Sequence, residues 1–102
     1  MNDSATTIAA FSGEIDFTAR ERFRAKLAEL RESARVIVDL TDVTYMDSSA
    51  LAELLFLHRS RARAGRSAPR VVIGPRITRL FEVAGMHDVV AAFTSVNEAR
   101  DA

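Results

Sequence analysis

An apolar, β-branched run, Val36-Ile37-Val38, leads through a polar segment into Asp47-Ser48-Ser49. These three residues open a stripe of Leu51, Leu54, Leu55 and His58 at helical spacing. The first part reads as a buried strand and the second as a helix. Aspartate and serine suit the start of a helix because their side-chain oxygens accept hydrogen bonds from the orphan amides of its first turn. A strand therefore delivers two hydroxyls and a carboxylate to a helix N-terminus. Open α/β sheets carry their sites at that carboxyl edge of the strands.

The remaining segments alternate in the same way. Residues 6–11 read as a first strand ended by Ser12-Gly13. Thr18-Ala19-Arg20-Glu21 fits a capping box, opening a helix over about residues 19–32 with Phe23, Leu27, Leu30 and Ala34 on one face. Residues 35–40 form the central strand, apolar on both sides of its pleat, and a loop follows. The serine-led helix spans about residues 49–64 and stops at Gly65. A third strand takes residues 70–74, and Pro75 opens a third helix carrying Ile77, Leu80, Phe81 and Ala84, ended by Gly85. Residues 88–93 read as a fourth strand, and Ser95-Val96-Asn97-Glu98 as a second capping box opening a terminal helix. The order predicts one α/β domain over residues 1–102, with about four strands in a mainly parallel sheet and about four helices.

Composition removes several function classes. Fourteen basic and fourteen acidic residues give zero net charge, so neither nucleic acid nor an anionic membrane is attracted globally. With no cysteine there is no disulfide and no thiolate metal site. No apolar run approaches the roughly 20 residues of a membrane-spanning helix, and the first residues lack the regions of a signal peptide. A cytoplasmic protein without membrane insertion is expected. Arg59, Arg61, Arg63, Arg66 and Arg70 gather near the end of the second helix. They read as cations complementing its dipole, and without interleaved aromatics they do not form a nucleic-acid patch. His58 lies on the apolar helix face as a partly buried core residue, and His87 stands beside Asp88 in a turn. No histidine or carboxylate spacing fits a metal site, and no cofactor is expected. Neither a nucleophile elbow nor a glycine-rich phosphate loop is present. A triad of Ser48 with a histidine and an aspartate lacks an oxyanion motif, so an enzyme is not expected.

Asp39-Leu40-Thr41-Asp42-Val43 followed by Tyr45-Met46-Asp47-Ser48-Ser49 resembles the core motif of STAS domains, in particular that of the bacterial anti-sigma factor antagonists. Gly13-Glu14-Ile15-Asp16 and the later Leu80-Phe81 with Gly85-Met86 resemble two further segments of that family, so the likeness runs from Gly13 nearly to the end. The resemblance implies that the unphosphorylated protein binds an anti-sigma factor that is also a serine protein kinase, freeing a sigma factor and so regulating transcription initiation. It also implies release on phosphorylation of Ser48 from ATP, with Ser49 as the second candidate, and resetting by a serine phosphatase. The docking surface is then expected at Glu14, Asp16, Asp47, Ser48, Ser49, Ala50 and Glu53. Two departures stand out. The antagonists have glycine at the place of Ala50, where a partner backbone would approach closely. They also have an extra leading strand for which this N-terminal segment is short, so the sheet is expected to be one strand smaller.

Read without the resemblance, Ser48 and Ser49 are helix caps, and Asp47 either orients the Ser48 hydroxyl or caps as well. The alternative function is a STAS binding module in a lipid-transport or stress-signalling complex, docking constitutively without modification of Ser48.

Overall fold

The computed structural model describes residues 6–102; the expectations about a leader and a leading strand concern residues 1–5 and lie outside the described residues. Four strands, β1 (Thr6–Ile15), β2 (Arg35–Met46), β3 (Arg70–Ile73) and β4 (Ala91–Phe93), alternate with α1 (Arg20–Ala28), α2 (Ser48–Arg63), α3 (Thr78–Val83) and α4 (Val96–Asp101). The sheet is ordered β1-β2-β3-β4 with every pair parallel. Right-handed crossovers in that sequential order carry their helices to one face. Val36, Val38, Leu40, Val71 and Ile73 accordingly form one core with Phe23, Leu27, Leu54, Leu57 and Phe81 from the helical segments. Helix α4 folds onto the opposite face, where Ala99 and Val96 cover Ile37 and Val72. The central strand is thus buried on both faces over its first half, as its unbroken apolar run requires.

The first two strands are longer than the sequence suggests. β1 runs on to Ile15, and β2 runs through the expected loop to Met46, paired with β1 throughout. Register shifts between Ala10 and Ser12, and between Gly13 and Glu14, place two extra residues in β2, which has 12 residues against 10 in β1. Gly13 takes φ +77° at the second shift, a conformation that favours glycine. Pairing with β3 ends at Leu40 and Ile73. Just beyond, Gly74 meets the Thr41 carbonyl so closely that a Cβ would lie 2.2 Å from its oxygen. The later halves of β1 and β2 therefore leave β3 as a two-stranded ribbon. Bulges bend and twist the strand that carries them, and this ribbon ends at Asp16 and Asp47.

The helix limits also differ from expectation. Thr18 does not cap α1. Its hydroxyl and amide donate to Asp16, which caps a single 3-10 turn over Phe17–Ala19 ahead of the helix. At its other end α1 stops at Ala28, not near residue 32, and the chain winds through turns to β2. Pro75 lies in the turn before α3, whose first residue, Thr78, closes that turn by donating its hydroxyl to the Gly74 carbonyl. A 3-10 turn over Met86–Asp88 takes the start of the expected fourth strand, leaving β4 only three residues. Half of the capping box before α4 forms: Ser95 accepts from the Glu98 amide, whereas Glu98 reaches past Ser95 and accepts from the Thr94 amide and hydroxyl.

Arg61 is the largest correction. It is not a solvated cation complementing the helix dipole; it is 0% exposed, and no other charged or polar side chain among the described residues is classed as buried. Its guanidinium donates to the carbonyls of Leu30 (2.9 Å), Arg31 (3.3 Å), Ser33 (2.7 Å), Ala34 (3.0 Å) and Ser67 (2.8 Å). Helix ends leave carbonyls without partners, and Arg61 supplies partners for the turns after α1. Burial lowers its pKa, and the neighbouring Arg66 charge lowers it further.

Candidate functional site

The ribbon places two aspartates side by side, each at the end of a strand and each capping the helical segment that follows. Ile15 pairs with Met46, and the Asp47 amide donates to the Ile15 carbonyl at 3.3 Å. Asp16 Oδ1 accepts from the Thr18 amide (3.0 Å), the Ala19 amide (3.2 Å) and the Thr18 hydroxyl (2.6 Å). Asp47 Oδ1 accepts from the Ala50 amide (3.0 Å) and the Ser49 hydroxyl (2.7 Å). These bonds favour the charged form. The Thr18 hydroxyl is the main cause holding Asp16 below the ordinary carboxyl range, and the Ser49 hydroxyl is the main cause for Asp47. The Asp16 charge pushes weakly the other way on Asp47, so the two carboxylates sense one another.

The two serines differ sharply. Ser49 is half-buried, with its hydroxyl proton committed to Asp47. Ser48, the first residue of α2, is exposed, and its hydroxyl has no hydrogen-bond partner among the described residues. Of the two roles open to Asp47, the structure shows the cap: its carboxylate serves Ser49 and Ala50, not the Ser48 hydroxyl.

The other expected surface residues fall in three different settings. Glu14 is exposed on the ribbon, paired in register with Tyr45. Glu53 is largely covered and held by Arg24 of α1 at 3.0 Å. Ala50 is 0% exposed and belongs to the core, so its methyl group packs within the fold. Two residues missed in the sequence complete the rim. Phe17 is 71% exposed just after Asp16, with the Arg20 guanidinium 5.6 Å from its ring centroid, and Tyr45 is 50% exposed two residues before Asp47. Their signal was an aromatic within two residues of each capping aspartate. Polar and acidic groups, two exposed aromatics and one free hydroxyl are the makings of a protein-docking surface. Among the described residues, no helix is long and apolar enough to cross a membrane.

Known proteins share this arrangement of elements. A protein of Bacillus subtilis (strain 168) named anti-sigma-B factor antagonist is 33% identical over 90 residues, covering 87% of this chain and 80% of its own length. An anti-sigma factor antagonist from Mycobacterium paratuberculosis superposes with a TM-score of 0.77 at 19% identity, over 97% of this chain and 86% of its own. The Bacillus cell fate determinant SpoIIAA, in its phosphorylated form, gives 0.65 at 21% identity over 99% and 93% of the two chains. These two structures share the fold. The family model for the STAS domain matches residues 2–99, and with that span and the Bacillus subtilis relative the chain belongs to the STAS domain family.

Proposed function

We propose that this chain is an anti-sigma factor antagonist, a binding protein and not an enzyme, working in the cytoplasm. In its unphosphorylated form it docks an anti-sigma factor that is also a serine protein kinase, through the surface around Ser48, and so frees a sigma factor. Transfer of the γ-phosphoryl group of ATP to the Ser48 hydroxyl by that partner releases it, and a serine phosphatase restores it. The observation that carries the reading is the division of labour between the serines: Ser48 presents a free hydroxyl, while Ser49 is tied to the cap. The Bacillus subtilis relative's name supports the partner class.

The electrostatics give the phosphate a way to act. A phosphoserine carries about −1.5 to −2 charges at neutral pH. A helix N-terminus ordinarily welcomes an anion, but here the Ala50 amide already serves the Asp47 carboxylate. Asp47 and Asp16 both favour ionisation. A phosphate on Ser48 is therefore repelled outward and opposes docking directly, without refolding the domain. The test compares Ser48→Ala and Ser48→Asp for binding to the cognate kinase, with the Ser48 peptide from native cells weighed before and after phosphatase treatment. Persistent binding by the alanine variant, weak binding by the aspartate variant and a growth-dependent phosphate are expected. Equal affinities together with a single unmodified mass would overturn the switch and favour a constitutive binding module.

A further inference from the structure

Among the described residues, the sheet has one long edge without a paired strand. β1 lies at the end of the strand order, and among the described residues no strand pairs with its outer side. It is ten residues long, whereas the opposite edge strand, β4, has three. Natural edges are blunted by lysine, proline, shortness or a covering element. Residues 6–13 contain no charged residue and no proline, and Ile8 on this edge strand is 41% exposed. The extra residues of both bulges lie in β2, and the positive-φ residue of β1, Gly13, stands at the end of the uncharged run.

A second observation concerns the ground beside this edge. A groove of about 130 Å³ opens between β1 and α1, walled by Phe11, Ile15 and Phe23, with Arg22 and Lys26 on its α1 side. Phe11 and Phe23 meet edge to face, with ring centroids 4.9 Å apart. A strand laid along β1 seats its helix-side residues against this apolar wall.

We infer that the outer edge of β1 is a homodimer interface, pairing antiparallel with β1 of a second copy so that two sheets join as one. Antiparallel pairing about a two-fold axis sets the same surface against itself. The uncharged run meets that condition without opposing like charges. Centring the pair near Ala9 and Ala10, with both helical layers on one side, brings Thr7 or Ala9 of each copy against Phe11 of the other. Both are small enough for the groove, and the basic rims of the two copies stay apart at opposite ends of the pair. The edge otherwise offers main-chain groups and small side chains, which select for a partner of equal length and similar composition. Eight paired residues span roughly 27 Å. A contact of that length falls in the small, reversible class of interfaces, below about 1,200 Å². Ser48 lies at the carboxyl end of the sheet, away from the centre of the pair, so each dimer presents two sites facing opposite ways.

Sedimentation velocity over about two decades of protein concentration tests this, the small interface making the exchange visible in that range. The full chain is expected to shift from monomer to dimer. Ala10→Lys is expected to stay monomeric with unchanged far-ultraviolet circular dichroism and an unfolding midpoint no lower than that of the parent. The chain has no cysteine, so Ile8→Cys, Ala10→Cys and Ser12→Cys, oxidised singly and in pairwise mixtures, report the register through the disulfide that forms. Cross-linking in at least one like-facing combination is expected, because directly opposed residues lie about 4.5–5.5 Å apart, within disulfide reach. A parent that stays monomeric throughout overturns the inference and leaves the edge to a different chain. A folded Ala10→Lys variant that dimerises as the parent does, or no cross-link from any combination, overturns it too.

Discussion

Replacing Arg61 by methionine tests the most unusual feature of this core. The substitution keeps much of the side-chain volume and removes the guanidinium, so the carbonyls of Arg31, Ser33 and Ser67 lose this donor, while those of Leu30 and Ala34 lose it but keep the Ser33 amide and the Ser67 hydroxyl. An unsatisfied buried polar group costs about 1–3 kcal/mol. Several of these carbonyls sit in turns that can reorient toward water, and burial of the charge itself is relieved. Three such carbonyls, less that relief, set the expected loss at about 3–5 kcal/mol. Against a total of about 5–15 kcal/mol for a native domain, that is a large share. At about 4–8 °C per kcal/mol, the melting temperature falls by more than about 12 °C. Urea unfolding of the parent, Arg61→Met and Arg61→Lys measures this directly. An ammonium has three donors and no planar fork, so the lysine variant should recover less than half of the loss. A methionine variant within about 1 kcal/mol of the parent would refute the account, because it would mean the turns after α1 need no internal donor. Full recovery by lysine would show that the charge matters and the fork does not.

Asp47→Ala removes the cap of α2 and should cost about 0.5–2 kcal/mol in urea unfolding. Both capping aspartates titrate below the ordinary carboxyl value of 3.8 when folded, so their contribution is present above that value and is lost as pH falls through the lower folded values. The unfolding midpoint should therefore drop below about pH 4, less steeply in Asp47→Ala; parallel acid limbs would remove Asp47 from the explanation. Ala50→Gly, which restores the residue usual in related antagonists, should destabilise α2 by about 1–2 kcal/mol through helix propensity and the lost buried methyl group. Because Ala50 is enclosed in the core, partner affinity should change less than twofold, and a gain of tenfold would show that its methyl group meets the partner after all.

What the sequence disclosed, and what it withheld, follows from how each signal is encoded. The buried strand at Val36-Ile37-Val38 and the start of α2 were legible because apolar runs and capping residues act locally. Two identical capping-box patterns nevertheless parted ways. Ser95 caps α4, but Thr18 yields to Asp16, a carboxylate standing two residues earlier at the strand end. The second half of β2 was hidden for a different reason. Its buried residues, Leu40, Val43 and Met46, recur every third position, whereas a strand should alternate. Each bulge adds a residue facing nothing in β1, so period two becomes period three, and the segment reads as a loop. Arg61 did leave a trace, since it shares the stripe of Leu54 and Leu57 while Arg59 and Arg63 lie off it. Charge was read there, and position was the better guide. The same distinction governs the site. Residue type marked Ser48 and Ser49 equally, and only the turn of about 100° between successive helix positions sets one toward Asp47 and the other toward solvent.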